Sequence, residues 1–195
     1  MFLKFSPMTD PNPIPSPASA WIQRFGHLVP AGGAVLDVAC GQGRHVHWFA
    51  QRGHPCLGID RSAQALAALP PSAQRLCADI ENGAWPLPGV QFAAVVVTHY
   101  LWRALLPTLV ASVAPGGVLL YETFADGNAR FGKPSRPDFL LQPGELLQAC
   151  GGALRVIAYE DGFLDGPARC VQRIAAQRPL ASGDALAPAL QPAPP

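Results

Sequence analysis

The sequence predicts an α/β fold: a doubly wound, seven-stranded sheet, mostly parallel, that ends in a C-terminal antiparallel hairpin. Three observations predict it. Short β-rich runs alternate with helical patterns along most of the 195 residues, as in βαβ units laid on a parallel sheet. The first run, Ala34–Ala39, is apolar except for Asp37, as in a strand covered on both faces. The last two runs, Leu154–Glu160 and Ala168–Ala176, lie only a few residues apart, so they are read as an antiparallel pair.

The remaining elements follow in order. A helix is expected near Ala18–Leu28, with Trp21 and Phe25 one turn apart. Gly43–Arg52 reads as a helix with Val46, Phe49 and Ala50 on one side. Cys56–Asp60 is a second strand, and Ser62–Leu69 is a short helix stopped by Pro70 and Pro71. Gln74–Ile80 is the third strand. Residues 81–91 are too few, and too rich in Gly and Pro, for a full helix. Phe92–Thr98 is the fourth strand, with β-branched Val95, Val96 and Val97. A helix over Leu101–Val113 is expected to stop at Pro115-Gly116-Gly117, followed by a fifth strand at Val118–Thr123. Residues 124–142 form a long loop, and a helix at Pro143–Ala149 ends at Gly151-Gly152.

Bulk properties narrow the class. The length suits one domain, and 49% apolar against 14% charged residues predicts a globular core. That core is placed at residues 17–178, between a Pro-rich segment (1–16) and an Ala/Pro-rich tail (179–195), both expected to be disordered. A net charge of +1 leaves no electrostatic footprint for nucleic acid. The five cysteines, Cys40, Cys56, Cys77, Cys150 and Cys170, are scattered, and the last four lie in or beside apolar stretches as small hydrophobes. With no long apolar run and no signal-peptide pattern, this usage points to a reducing cytoplasm and no membrane span.

The chemistry concentrates in Val35-Leu36-Asp37-Val38-Ala39-Cys40-Gly41-Gln42-Gly43-Arg44, where a buried strand runs into two glycines and a helix begins. Glycine permits the turn and lets a ligand approach the backbone. About twenty residues on, Asp60 closes the next strand, where a carboxylate can accept from both hydroxyls of a ribose. The dinucleotide fingerprint needs a third glycine at position 46, which is Val46, and this disfavours a nicotinamide oxidoreductase.

Val35–Arg44 resembles motif I of the class I S-adenosylmethionine (SAM)-dependent methyltransferases, a Rossmann-like family. Leu57-Gly58-Ile59-Asp60 resembles the acidic end of that family's second strand. Cys77-Ala78-Asp79-Ile80 is similar to its next motif, and Ala114-Pro115-Gly116-Gly117 to the turn before its fifth strand. The resemblance spans roughly residues 20–176, and its nearest flavour is the small bacterial tellurite-resistance-like branch. It implies SAM as cofactor, S-adenosyl-L-homocysteine as product, and methyl transfer by in-line displacement. By the same resemblance, Gly41 and Gly43 let the backbone approach the amino acid end of SAM, with Ala39, Cys40 and Arg44 in the same turn. Asp37 anchors that turn and helps hold the ammonium, and Asp60 takes the ribose. Arg61 flanks the adenine, Ala78 and Asp79 meet it, and Ile80 adds an apolar contact. Thr98 and His99 stand near the sulfonium.

The acceptor side is less determined. His99 and Tyr100 follow the fourth strand, and His99 has a pKa range suited to taking a proton or to orienting by hydrogen bonds. Trp21, Tyr121, Arg130 and Phe131 are candidate acceptor contacts. Trp21 reads equally as packing, and the cations of the 124–142 loop read equally as a solvated face. Cys40 is either an activated thiol at a helix start or a pocket wall. His45 and His47, two apart on a helix, point away from each other, so no metal site is expected. The expected partner is a small-molecule methyl acceptor, and the expected assembly a monomer or homodimer. A non-catalytic SAM-binding module, or a protein or nucleic-acid methyltransferase, would share the same cofactor motifs.

Overall fold

The least polar strands take the centre of the sheet. β1 (Val35–Val38) and β4 (Phe92–Thr98) pair in parallel, with Leu36 opposite Val95 and Val38 opposite Val97. The computed structural model describes residues 16–180 and residue 190. Its seven strands run in the order β3-β2-β1-β4-β5-β7-β6. β2 (Cys56–Asp60) and β3 (Gln74–Cys77) extend the sheet in parallel from β1. On the other side β5 (Val113–Phe124) is parallel to β4, and β7 (Arg169–Gln177) inserts antiparallel between β5 and β6 (Arg155–Leu164). Strand order reverses between β1 and β4, which opens a crevice at their carboxyl ends.

Alternation along the strands divides the core into two layers. Leu36, Val38, Val95, Val97, Leu119, Tyr121 and Ile174 face one layer, where α4 (Leu106–Ala111) and α5 (Glu145–Cys150) lie. Val35, Ala94, Val96, Val118, Leu120 and Ala175 face the other, under α1 (Ala20–Phe25), α2 (Arg44–Ala50) and α3 (Ala63–Leu66). Ser19 caps α1 by accepting from the Ile22 N–H, and the Trp21 indole N–H donates to the Ile174 carbonyl of β7 at 3.1 Å. Full burial of Ile22 and Phe25 adds about 1.5–3 kcal/mol each to this docking.

Some expected elements change length, for local reasons. The helix expected over Leu101–Val113 is a 3-10 turn at Arg103–Leu105 followed by the six residues of α4. Pro107 explains the start, because proline is tolerated only in a first helical turn. Pairing of β5 begins at Val113, ahead of the expected turn. The register then jumps from Phe92 opposite Val113 to Ala94 opposite Val118, so Ala114–Gly117 forms an irregularity within the strand. β3 stops at Cys77, Ala78 still donates to the Asp60 carbonyl of β2 at 3.1 Å, and Asp79 and Ile80 leave the sheet. Cys77, expected as a buried hydrophobe, is exposed because β3 is an edge strand. Cys40, Cys56 and Cys150 are buried, and burial pushes the Cys56 and Cys150 thiols up to about 12 and about 11.

Residues 81–91 form no helix, and the terminal hairpin pairs from Arg155 opposite Gln177 to Leu164 opposite Arg169. The disorder expected at 1–16 and 179–195 falls almost wholly outside the described residues. Among the described residues no helix is long and apolar enough to cross a membrane.

Candidate active site

Among the described residues two other than glycine adopt positive φ, and each follows a central strand: Ala39 (φ 52°) after β1 and His99 (φ 53°) after β4. For an L-residue that conformation costs about 1–2 kcal/mol, so the surroundings must hold it in place. Both residues stand at partitions between cavities that lie in a row along the crevice. Ala39 lines a cavity of about 250 Å³ and a second of about 280 Å³. Arg44 and His99 line that second cavity and a third of about 530 Å³.

The first cavity gathers Ala39, Asp60, Arg61, Ala78, Asp79 and Ile80 from the ends of β1, β2 and β3, together with Tyr100. Asp60 accepts from the Gly41 N–H through Oδ2 and from the Ser62 N–H through Oδ1, both at 2.8 Å. The acid closing β2 thus ties down the glycine turn after β1, and each oxygen keeps a lone pair for a ligand. Asp79 is exposed and is engaged by the Asn82 side chain and by the Glu81 and Asn82 N–H groups. These bonds hold its carboxyl below the usual range. The Tyr100 hydroxyl is buried without a hydrogen-bond partner. Burial, with the carboxylates of Glu81 and Asp79 nearby, raises its pKa and keeps it a donor.

The second cavity is lined by Ala39, Cys40, Gly41, Arg44, His45, Thr98 and His99. Gly41 has φ 55°, and a Cβ built there would meet nothing within 4 Å, so its backbone is bare. Gly43 does something else. It is the N-cap of α2, and a Cβ there would come within 2.9 Å of Leu69, so its role is packing, away from the lining. Val46, at the place of the missing third glycine, is fully buried. Space for this layer is made across the sheet by Gly58, whose Cβ would lie 2.6 Å from Leu69 Cδ2 and 2.8 Å from Cys40 Sγ. Cys40 is part of the wall, and its thiol is raised by burial and by Asp37 and Asp60. The activated-thiol alternative is thereby removed.

Asp37 sits behind the lining. Both its oxygens are buried and without hydrogen bonds, and His45 Nδ1 lies 3.7 Å from Oδ2. His45 Nε2 accepts from the Ser19 N–H at 3.3 Å, so the proton of the neutral ring is assigned to Nδ1, facing Asp37. His47 instead contacts the Ala68 carbonyl, and no cluster of metal ligands exists among the described residues.

The third cavity lies between the start of α1 (residues 17–20), the ends of β4 and β5, the 124–142 segment and β7. His99 is anchored by its backbone N–H to the Glu122 carbonyl at 3.0 Å, and its ring lies 5.1 Å from that of Phe124. Partial loss of water around the ring, followed by the nearby Arg44, draws the His99 pKa below its ordinary value. Glu122 is buried and pairs with Arg173 at 3.2 Å, while Phe131, at the rim, stacks near Phe163 at 4.9 Å.

Four residues expected at the acceptor side are elsewhere. Tyr100 faces the first cavity, away from His99. Tyr121 alternates with Glu122 and so points into the opposite core layer, where its hydroxyl donates to the Tyr100 carbonyl at 2.8 Å. Trp21 is a buried latch between α1 and β7 that also supports Arg173, whose guanidinium lies 5.0 Å from its ring. Arg130 is exposed on a 3-10 turn beside the cavity, outside its lining. The sequence reading missed Arg169 and Arg173. Arg173, next to Ile174-Ala175-Ala176 in a strand, was the one available signal, since a buried guanidinium demands a partner.

A mostly parallel sheet with a crevice at its switch point, a glycine turn after β1 and an acid closing β2 has the architecture of the nucleoside-binding α/β proteins. Residues 35–117 match the profile described as "Methyltransferase domain". The matched segment runs from β1 to the start of β5 and contains the glycine turn and Asp60. No curated protein matches it in sequence. Among solved structures it is similar to a SAM-dependent methyltransferase from Methanosarcina mazei (14% identity, TM-score 0.64, 85% of this chain and 100% of that one). A TehB-like SAM-dependent methyltransferase from Corynebacterium glutamicum is also similar (17%, 0.57, 79% and 84%). So is the N-methyltransferase NodS from Bradyrhizobium japonicum (16%, 0.60, 82% and 94%). The residues present fit SAM, the cofactor named for the first two of these structures: bare backbone at Gly41, a buried unpartnered donor at Tyr100, and two orphaned carboxylate oxygens at Asp37 behind the wall.

Proposed function

We propose that the protein methylates a small-molecule acceptor that binds in the 530 Å³ cavity. The observation that carries this reading is the shared wall, since Arg44 and His99 border both that cavity and the one against the glycine turn. Asp60, Arg61, Asp79, Ile80 and the Tyr100 hydroxyl would hold the nucleoside end, and Ala39, Cys40, Gly41 and Thr98 the amino acid end. Bound there, SAM supplies a sulfonium-activated methyl group, which the acceptor takes by in-line displacement.

The chain's own work is positioning and exclusion of water. Where the acceptor nucleophile carries a proton, His99 receives it, because a lowered pKa leaves its ring neutral at pH 7. Glu122 holds the His99 backbone through its carbonyl and Arg173 through its carboxylate. Within the class I SAM-dependent methyltransferases we assign the chain to the small tellurite-resistance-like branch, acting in the cytoplasm as a monomer or homodimer. Calorimetry with SAM and S-adenosylhomocysteine, then mass spectrometry over thiols, chalcogen oxyanions, amines and carboxylates, tests the reading. Binding followed by transfer to one class supports it, and binding without transfer to any of them points to a regulatory module.

A further inference from the structure

We infer that the acceptor is a small organic acid with a flat apolar body, gripped through its carboxylate by Arg169 with Lys133 and Arg44 close by. The inference rests on the methyl-transfer reading of the cleft and names the substrate class of that site.

Charge accounting within the third cavity comes first. Arg44, Lys133, Arg169 and Arg173 line it, against a single acid, Glu122. Glu122 is already paired with Arg173, which a second carboxylate, Glu160, also engages at 2.8 Å. Arg44, Lys133 and Arg169 form no ion pair among the described residues. The whole chain carries only +1, so three uncompensated cations around one cavity are a local feature rather than general basicity.

Arg169 supplies the directional element. Its Nη1 donates to the Pro167 carbonyl at 2.9 Å, which fixes the guanidinium plane. Its Nε is buried without a partner, and a buried N–H of a charged group costs free energy until something accepts from it. With Nη1 occupied, the Nε–Nη2 edge is left over. That edge presents two parallel N–H groups, the arrangement that meets both oxygens of one carboxylate. Arg44 is held only loosely, at 3.5 Å from Thr98 Oγ1, and can turn toward the same anion.

The rest of the lining describes the remainder of the molecule. Phe124, Phe131, Pro167 and Ala168 give an apolar wall, and about 530 Å³ is room for a substituted single-ring compound. His99 stands at the partition with the glycine-turn cavity. An acid gripped at Arg169 can therefore extend its body along the phenylalanines and present its nucleophile to His99.

The experiment uses the full-length protein saturated with S-adenosylhomocysteine. Benzoate, 4-hydroxybenzoate and 2-aminobenzoate are titrated beside their uncharged amides by calorimetry. The acids are expected to bind about tenfold or more tightly than the amides. Arg169→Met and Lys133→Met should each remove about tenfold of that preference while affinity for S-adenosylhomocysteine stays within about twofold, which also shows that the variants are folded. Acids and amides that bind alike, or acids that do not bind at all, overturn the inference, as does inorganic phosphate outcompeting every acid. Failure of S-adenosylhomocysteine itself to bind overturns instead the methyl-transfer reading beneath it.

Discussion

Apart from Ser16 and Phe139, everything that lines the first two cavities comes from residues 39–100. The third cavity draws on residues 17–20, 44, 99, 122–133 and 167–173, segments that meet only in the finished fold. The difference is one of construction. The cofactor half is made of short turns leaving neighbouring parallel strands, so sheet register alone puts Ala39, Asp60 and Ala78 side by side. The third cavity depends on long-range contacts: α1 on β7, the 124–142 segment on β7, and β7 on β5.

If the halves are separable, substitutions should divide accordingly. The largest effect belongs to His99→Asn, which should lower kcat by about 10²–10⁴ while S-adenosylhomocysteine affinity stays within about twofold. In the wild type kcat/KM should be level around pH 7, because the lowered pKa keeps His99 neutral there. It should fall only as pH drops below the ordinary histidine range, and the asparagine variant should lose that acidic limb. A parallel fall in cofactor affinity would mean that the partition is shared and not divided.

On the other side, Asp60→Ala removes the acceptor for two backbone N–H groups and one candidate ribose contact. S-adenosylhomocysteine affinity should fall by roughly 1–3 kcal/mol in calorimetry, with acid binding in the third cavity retained in its presence. Gly58→Ala presses a methyl group onto Leu69 and Cys40 and should cost about 1–3 kcal/mol of stability, read as a lower Tm. The smallest change is Tyr100→Phe. It should weaken S-adenosylhomocysteine binding by about 1 kcal/mol and leave the unliganded Tm unchanged or slightly higher, since the hydroxyl has no partner there.

The same contrast explains what the sequence revealed. Strand-glycine-helix and strand-acid patterns are local, so the sheet, its hairpin and the placement of Asp60, Asp79 and Gly41 were legible. Gly43 stands outside the cavity lining, and beside its φ of 74° it answers to Leu69, twenty-six residues away. The helix over 101–113 was read too long because an apolar periodicity outweighed Pro107. Tyr121 and Glu122 were both visible at the end of β5, yet only the pairing of Glu122 with Arg173 shows which of them faces the cavity. Arg169 could not be found by pattern at all, since its orphaned Nε follows from the turn at Pro167. The left-handed backbone at Ala39 and His99 carries no residue signature, because glycine or asparagine would have been the usual choice.

The Trp21–Ile174 latch sets an order of assembly during synthesis. A nascent chain released only through β5 already holds nearly every residue of the cofactor half. It still lacks Arg169, Arg173 and the carbonyl that seats α1. Because chains emerge N-terminus first, the Trp21 indole finds its carbonyl acceptor only once β7 has formed, and the third cavity is complete only then.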